Sequence, residues 1–537
     1  IFDYPNAIRG SVGSITPINA VRRQIKTLGD NYAARLDFDY KLSEKSNLTF
    51  GTYLSNTNIE TRTVQGVQRF NGRFITAEQR QSLIDLIDSK NLTDREFLGG
   101  EGGVSRWLKI PGEGVFNLFP VFAAQTGGTA FNFNTNLRDV KSETGQLPLR
   151  LGDSWGTDET TLATYFQYAS ESTLFNLPVK YNIGLRAVNT TNNSKGFSAV
   201  STIDPGLSGG GGAVNGALFH ETENSDWHFL PSLNANFELK SNMNLRFAVS
   251  RAVSRPRYQD MAPRNVIRYI DPNSSIFDPT SPDYEPNLSN TQYRGSITSG
   301  NPDLKPYSAW MFDTTYEIYS KNGGSFVASF FYKSINDFIG VQSLSDQTFP
   351  GSDELGVTLP SNQKDLLFDI SKPVNSTDAK LYGFELGFNQ HFTFLPGFAK
   401  GFGLQANYTN VNSEFDEAVG DAVNGFPGTS KDNFNTVLYY EKYGFTGRFT
   451  VAHRGNYLSR LGGIGSTRAD ASYYTESTTM LGASLQYRLP SKKVIFTASV
   501  ANLTGEDVRR YILNDPKNFF GYFERNPIWT FGLRYKL

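Results

Sequence analysis

Apolar and polar residues alternate one by one over long stretches of this chain. In the last nine residues, Trp529, Phe531, Leu533, Tyr535 and Leu537 share one parity, and Thr530, Gly532, Arg534 and Lys536 share the other. A period of two marks a strand with one dry face and one wet face. The pattern recurs with Tyr32, Leu36, Phe38 and Tyr40 against Arg35, Asp37, Asp39 and Lys41, and with Leu233, Ala235, Phe237 and Leu239 against Asn234, Asn236, Glu238 and Lys240. It recurs again with Tyr382, Phe384, Leu386 and Phe388 against Gly383, Glu385, Gly387 and Asn389, and with Leu481, Leu485, Tyr487 and Leu489 against Gly482, Ser484, Gln486 and Arg488. One such strand fits a sandwich or a barrel. Many long ones with aromatics on the dry face predict strands that show lipid one side and a wet lumen the other.

The connections between these strands alternate in length. Short turns are predicted near Ser43–Asn47, Ser241–Met243, Lys321–Gly324, Leu395–Lys400, Lys442–Gly444 and Pro490–Lys493. Long connections fall near Gly66–Gly156, Pro256–Pro306, Gly340–Asn375, Asn412–Thr429, Gly455–Ala471 and Thr504–Arg525. Outer-membrane barrels have short periplasmic turns and long extracellular loops, so the expected fold is an all-β, transmembrane, antiparallel up-and-down β-barrel. Roughly sixteen to eighteen strands are expected in this chain. Within the first long connection, Ala77–Lys90 reads as a short helix, with Leu83, Ile84, Leu86 and Ile87 set among charges. Gly209–Gly212 lacks the Lys-Ser/Thr of a phosphate loop and reads as a flexible spacer.

Composition narrows the choice. The 537 residues include 27 Tyr and 42 Phe, an aromatic excess suited to strands and interfacial girdles. A net charge of −1 gives no reason to expect nucleic acid as a partner. The absence of cysteine excludes disulfide scaffolds and thiolate metal sites. Mean hydropathy is −0.39, and no apolar run is long enough for a transmembrane helix, a test that barrels escape because only every second residue need be apolar. The chain opens at Ile1 without Met or a signal peptide, and the expectation is that it belongs to a longer mature protein.

Several segments resemble one known family. Gly300-Asn301-Pro302-Asp303-Leu304-Lys305-Pro306 is similar to a "GNPxLKP" segment, SFVASFFYKSINDFI at Ser325–Ile339 to a "FYK.I.DFI" strand, KLYGFELGFNQ at Lys380–Gln390 to a "G.E" strand, and Asn502-Leu503-Thr504 to an "NLT/NLF" segment. Together, in this order, they resemble the barrel of a TonB-dependent outer-membrane receptor of the Caulobacter/Xanthomonas type. The match runs from about Asp158 onward, with Leu537 where the family usually ends in Phe. The resemblance implies a barrel of about 22 strands when intact. Residues 1–537 would then be the C-terminal part, with the plug domain and the first strands preceding Ile1. It also implies a multi-pass protein of the Gram-negative outer membrane. Its partners would be TonB-ExbB-ExbD, reached through the plug, the barrel-assembly machinery, reached through the C-terminal strand, and outer-membrane lipid.

Enzymatic readings find little support. His220, His228, His391 and His453 show no metal-binding spacing, and no G-x-S-x-G elbow occurs, so neither catalytic residues, a metal nor a cofactor is expected. By parity Arg35, Asp37, Asp39, Glu238, Arg246, Asp313, Glu317, Glu385, Arg448, Arg488 and Arg534 point inward, where charges pair with one another and with a plug. Ligand contacts are expected from the loops. Arg257-Tyr258-Gln259-Asp260 opens the long Pro256–Pro306 connection, and Tyr269, Asp271, Tyr284, Tyr293 and Arg294 follow, with Trp107 and Trp155 in the other large loop. From these, Trp107, Trp155, Tyr258, Asp260, Tyr269, Asp271, Tyr284, Tyr293 and Arg294 are the candidate ligand-binding residues. Aromatic faces stack on the apolar side of a sugar ring while Asp, Asn and Arg bind its hydroxyls. The same aromatics also suit loop packing or a membrane girdle. The expected function is active import of a scarce nutrient, an oligosaccharide first and an iron–siderophore complex second. A passive porin and a secreted all-β binding protein are the readings from other classes.

Overall fold

The computed structural model describes residues 19–69, 151–203, 214–270, 279–280, 295–351, 355, 366–416, 425–460, 472–491, 493–512 and 514–535. The reading of 77–90 as a helix and of 209–212 as a spacer lies outside the described residues.

Strands β1 (Asn19–Ser43), β2 (Ser46–Arg69), β3 (Trp155–Leu174), β4 (Leu177–Ile203), β5 (Val214–Lys240) and β6 (Met243–Ser254) pair antiparallel in sequence order. Two short strands intervene, β7 (Asn265–Ile270) and β8 (Gly295–Ser299). The wall resumes with β9 (Tyr307–Tyr319), paired to β6, then β10 (Ser325–Thr348), β11 (Leu367–His391), β12 (Phe402–Phe415), β13 (Asp432–Lys442) and β14 (Phe445–Arg454). The chain then leaves the wall through β15 (Tyr457–Arg460) and β16 (Tyr473–Thr475), and returns as β17 (Thr478–Arg488) and β18 (Val494–Ala501). It leaves again through β19 (Val508–Ile512) and β20 (Phe519–Phe523) before the last described strand, β21 (Ile528–Tyr535). Strands β15, β16, β19 and β20 form a separate four-stranded sheet, and the other seventeen form one sheet. Among the described residues β1 pairs only with β2, and β21 only with β18.

The wall is a single layer. Phe531 is 75% exposed and Phe330 60%, so among the described residues no second protein layer covers the apolar face. That excludes a sandwich, in which these rings would be buried between sheets. The rings pack sideways instead, strand to strand: Phe330 lies 6.3 Å from Phe384, Phe384 lies 5.8 Å from Tyr408, and Phe445 stacks on Tyr487 at 4.3 Å. Charges of opposite sign meet on the other parity. Arg35 lies 2.6 Å from Asp37, and Arg246 lies 3.1 Å from Glu317.

Turns at one end are tight. Phe175 (φ 53°) joins Asn176 (φ 62°) between β3 and β4, and Tyr443 (φ 56°) joins Gly444 (φ 82°) between β13 and β14. Two successive left-handed residues match the right-handed twist of a hairpin. At the opposite end the strands run on. β4 and β5 each have 27 residues, against the 9–11 or so needed to cross a bilayer, so their far ends stand clear of it.

Above the wall the sheet takes a short cut. β7 runs parallel to the end of β4, pairing Ser198 with Asn265 through Ile203 with Ile270. β7 pairs antiparallel with β8, and β8 runs parallel to β11, from Phe368 opposite Gly295 to Ser371 opposite Thr298. Along the wall, β4 and β11 are separated by β5, β6, β9 and β10; β7 and β8 span the same gap with two strands, as a chord. Val200, Ile267, Tyr269, Ile297, Leu355 and Phe368 form the dry core of this chord.

Candidate functional site

The segment from β6 to β9 is a strap built from both ends of the long 256–306 connection. Its first part is a single helical turn, α1 (Tyr258–Met261), closed by the N–H groups of Asp260 and Met261 donating to the Arg257 carbonyl at 2.9 and 3.2 Å. Its last part is the Gly300–Pro306 motif. The two run side by side: Asn301 N–H donates to the Asp260 carbonyl at 2.7 Å, and Gly300 N–H to the Arg264 carbonyl at 2.9 Å. A Cβ on Gly300 would collide with the Ala262 carbonyl oxygen, which explains glycine there.

The motif staples the strap to both sides of the barrel. Asn224 on β5 donates to the Pro302 carbonyl at 2.6 Å. On the other side Asn301 donates to the Pro373 carbonyl at 2.9 Å. Asn375 both accepts from Lys305 N–H and donates to Lys305 carbonyl, each at 3.0 Å.

The underside of the strap rests on the polar face of β3 and β4. Glu159 is 4% exposed, and its carboxylate pairs with Arg255. Burial, with the nearby Glu159 charge, pushes the Tyr258 phenol up to about 12. A serine–asparagine relay ties the chord to the wall. Ser299 donates to Asn265 at 2.6 Å, Asn265 donates to Ser198 at 2.8 Å, and Ser198 Oγ lies 2.8 Å from His220 Nε2.

The other side of the strap borders a cavity of about 300 Å³. Arg257, Gln259 and Asp260 come from the α1 turn, and Arg264 from the approach to β7. Thr298 and Ser299 on β8 and Tyr307 at the head of β9 add hydroxyls, and Ser371 on β11 adds another. Ile339, Gly340, Val341 and Pro373 make the apolar part of its lining. Arg264 is held from behind by the Gly152 carbonyl at 3.3 Å and the Asp153 carboxylate at 3.8 Å. Burial pushes the Asp260 carboxyl upward, against the pull of Arg257 and Arg264. The cavity thus offers cationic, acidic, hydroxyl and amide groups around an apolar surface, the mixture that orients a small polar ligand. A larger cavity of about 830 Å³ lies at the short-turn end, with Lys41, Lys45, Lys180 and Arg246 facing Asp39, Glu44, Glu171 and Asp313. Charges there are balanced by sign, and it lies at the end opposite the strap and the chord.

Of the residues singled out in the sequence, Asp260 lines the strap cavity, and Tyr258 turns to the underside against Glu159. Tyr269 is 2% exposed in the chord core, and Trp155 starts β3, half-buried. Trp107, Asp271, Tyr284, Tyr293 and Arg294 lie outside the described residues. Arg257 and Gln259 sit in the same four-residue run as Asp260. Thr298, Ser299, Tyr307 and Ser371 carry no sequence signal, because only the chord brings β8, β9 and β11 together. Among the described residues no three His, Asp or Glu side chains cluster as a metal site. His391 instead stacks on Tyr439 at 5.8 Å, and His453 bonds Thr479 at 2.8 Å.

Comparison with known proteins bears on the whole architecture. No curated protein sequence matches the chain. Among solved structures, the copper transporter OprC superposes with a TM-score of 0.53 at 13% identity, over 96% of this chain and 57% of its own. The unliganded ferric citrate transporter FecA gives 0.51 at 11% identity, over 97% and 56%. The ferric yersiniabactin uptake receptor FyuA from Yersinia pestis gives 0.49 at 12% identity, over 96% and 55%. The chain thus spans just over half the length of these proteins, and at such identities the likeness is one of fold. The family model for TonB dependent receptor-like β-barrels matches residues 2–503. The chain therefore belongs to the TonB-dependent receptor β-barrel family, whose members reside in the outer membrane of Gram-negative bacteria.

Proposed function

We propose that this chain is the barrel of an active-transport receptor that binds an oligosaccharide at its extracellular face and passes it to the periplasm. The observation that carries this reading is the strap cavity. It sets the aromatic ring and hydroxyl of Tyr307 with Gln259, Asp260, Ser299 and Ser371 beside the apolar Val341 and Pro373. Sugars present that same pairing of C–H faces and hydroxyl edges. No nucleotide or ion gradient is available at the outer membrane, so energy reaches the barrel from TonB-ExbB-ExbD through a plug. A plug domain and further strands closing the gap between β1 and β21 belong to this reading, as does recognition of β21 by the barrel-assembly machinery. The balanced charges at the short-turn end are suited to contact with such a plug. In this reading the protein is a transporter with no catalytic residues.

A second reading is an iron–siderophore receptor. Two guanidinium groups in one cavity, Arg257 and Arg264, also suit an anionic chelate, and ferric citrate is the cargo named for FecA. Calorimetry on the full-length receptor separates them. Saturable binding of a neutral oligosaccharide supports the first reading. Binding of ferric chelates with none of a sugar panel overturns it.

A further inference from the structure

The charges of the strap cavity are unequally engaged. Arg264 is committed to Asp153 and the Gly152 carbonyl. Asp260 forms no ion pair within 4.0 Å among the described residues, and its backbone carbonyl is tied to Asn301. Arg257 is exposed at the cavity and, among the described residues, has neither an ion pair nor a side-chain hydrogen bond. A lone exposed arginine is ordinarily a solvated surface charge. This one differs in its setting: it stands at the rim of a recess where Arg264 is already paired, burial pushes the Asp260 carboxyl toward its neutral form, and the remaining polar groups are neutral.

Those neutral groups retain hydrogen-bonding capacity. Ser299 spends its proton on Asn265, so its oxygen is left as an acceptor for an incoming hydroxyl. Gln259 and Ser371 each offer both donor and acceptor atoms. At about 300 Å³ the cavity is at the small end of ligand pockets, which favours a short unit over a long chain lying flat.

We infer that the cavity recognises a pyranose bearing a carboxylate, a uronate unit of an acidic oligosaccharide. The carboxylate sits on the guanidinium fork of Arg257, ring hydroxyls meet Gln259, Ser299 and Ser371, and the C–H face rests on Val341. A planar guanidinium matches a carboxylate with two parallel bonds, a geometry that lysine cannot reproduce. This inference rests on the oligosaccharide reading above and narrows its substrate class.

The test is calorimetry on the full-length receptor in detergent with four probes: digalacturonate, its neutral methyl ester, maltose and ferric citrate. Digalacturonate is expected to bind at least about tenfold tighter than its ester. Arg257→Gln is expected to abolish that difference, and Arg257→Lys to restore it only partly. The ester serves as the folding control, since a misfolded strap would lose both sugars. Equal binding of acid and ester, or an Arg257→Gln variant that still prefers the acid, overturns the uronate assignment and leaves the oligosaccharide reading standing. The same holds if maltose binds and both uronate probes fail. Binding of ferric citrate with no sugar bound removes the parent reading and this inference with it.

Discussion

Lys305 and Asn375 exchange two hydrogen bonds. The Lys305 backbone N–H donates to Asn375 Oδ1, and Asn375 Nδ2 donates to the Lys305 carbonyl, both at 3.0 Å. The asparagine amide does for the strap what a neighbouring strand does in a ladder, and it satisfies both backbone groups of one residue. The same Nδ2 reaches the Asp337 carbonyl at 2.9 Å, on the bulged part of β10. One side chain therefore joins the strap, β10 and β11. Replacing Asn375 with Ala should cost about 1–2 kcal/mol of local stability, the low end for lost bonds because these groups are partly wet. Amide exchange at Lys305 should accelerate, and β11 amides below Ala379 should stay protected. Uniform loss of protection along β11 would show that Asn375 supports the wall instead.

Glu159 holds the strap from beneath. Its side chain is 5% exposed, and its partner Arg255 is 36% exposed. Glu159→Gln removes the charge and leaves Arg255 close to water, so the loss should be about 1–2 kcal/mol, less than for a fully buried pair. Proteolysis is expected to become faster within 256–306 while the heat-modifiable migration of the folded barrel on gels is unchanged. If proteolysis is no faster, the strap does not depend on this pair.

Asp260 gives the strap a pH dependence of defined sign. Burial raises its carboxyl in the folded state, so the folded strap takes up a proton more readily than the open one. Strap stability should rise as pH falls from neutral through the raised value toward the ordinary aspartate value of about 3.9, and decline again as pH rises through that window. Asp260→Asn should flatten this part of the profile. Exchange rates for Asn301, whose N–H is bonded to the Asp260 carbonyl, report it directly. A slope of opposite sign would mean that Arg257 and Arg264 outweigh burial.

Adjacent residues of β10 should differ in their tolerance of charge. Phe330 is 60% exposed on the aromatic parity, and Ser329 lies on the other, 3.0 Å from Thr315. Phe330→Arg should cost about 2–4 kcal/mol at the bilayer midplane and less nearer an interface. Ser329→Arg, one residue away, should cost well under half of that. Folding equilibria into lipid vesicles measure both. Equal costs would contradict the assignment of faces.

The alternation that marks Tyr32–Leu42 and Trp529–Leu537 is local, and so were most of the turns. The turn at Phe175 and Asn176 was not legible, because phenylalanine in a left-handed conformation carries none of the Asn-Gly or Asp-Gly chemistry that signals a hairpin. The long connection from Pro256 to Pro306 read as loop, yet it contains β7 and β8. Asp260 was legible as a polar residue in an aromatic-rich loop, while Ser299, Tyr307 and Ser371 were not.

The sequence by itself determined the wall: which residues meet lipid, which meet the lumen, and which end carries the long connections. Those follow from a period of two, a property of consecutive residues, and from the oily solvent that the aromatic parity requires. Only the tertiary structure decided the chord, the strap and the cavity between them. β7 and β8 are fixed by parallel pairing with β4 and β11, strands roughly 70 residues distant in the chain. Contacts of that range depend on how the ladder curves, and no local pattern encodes it.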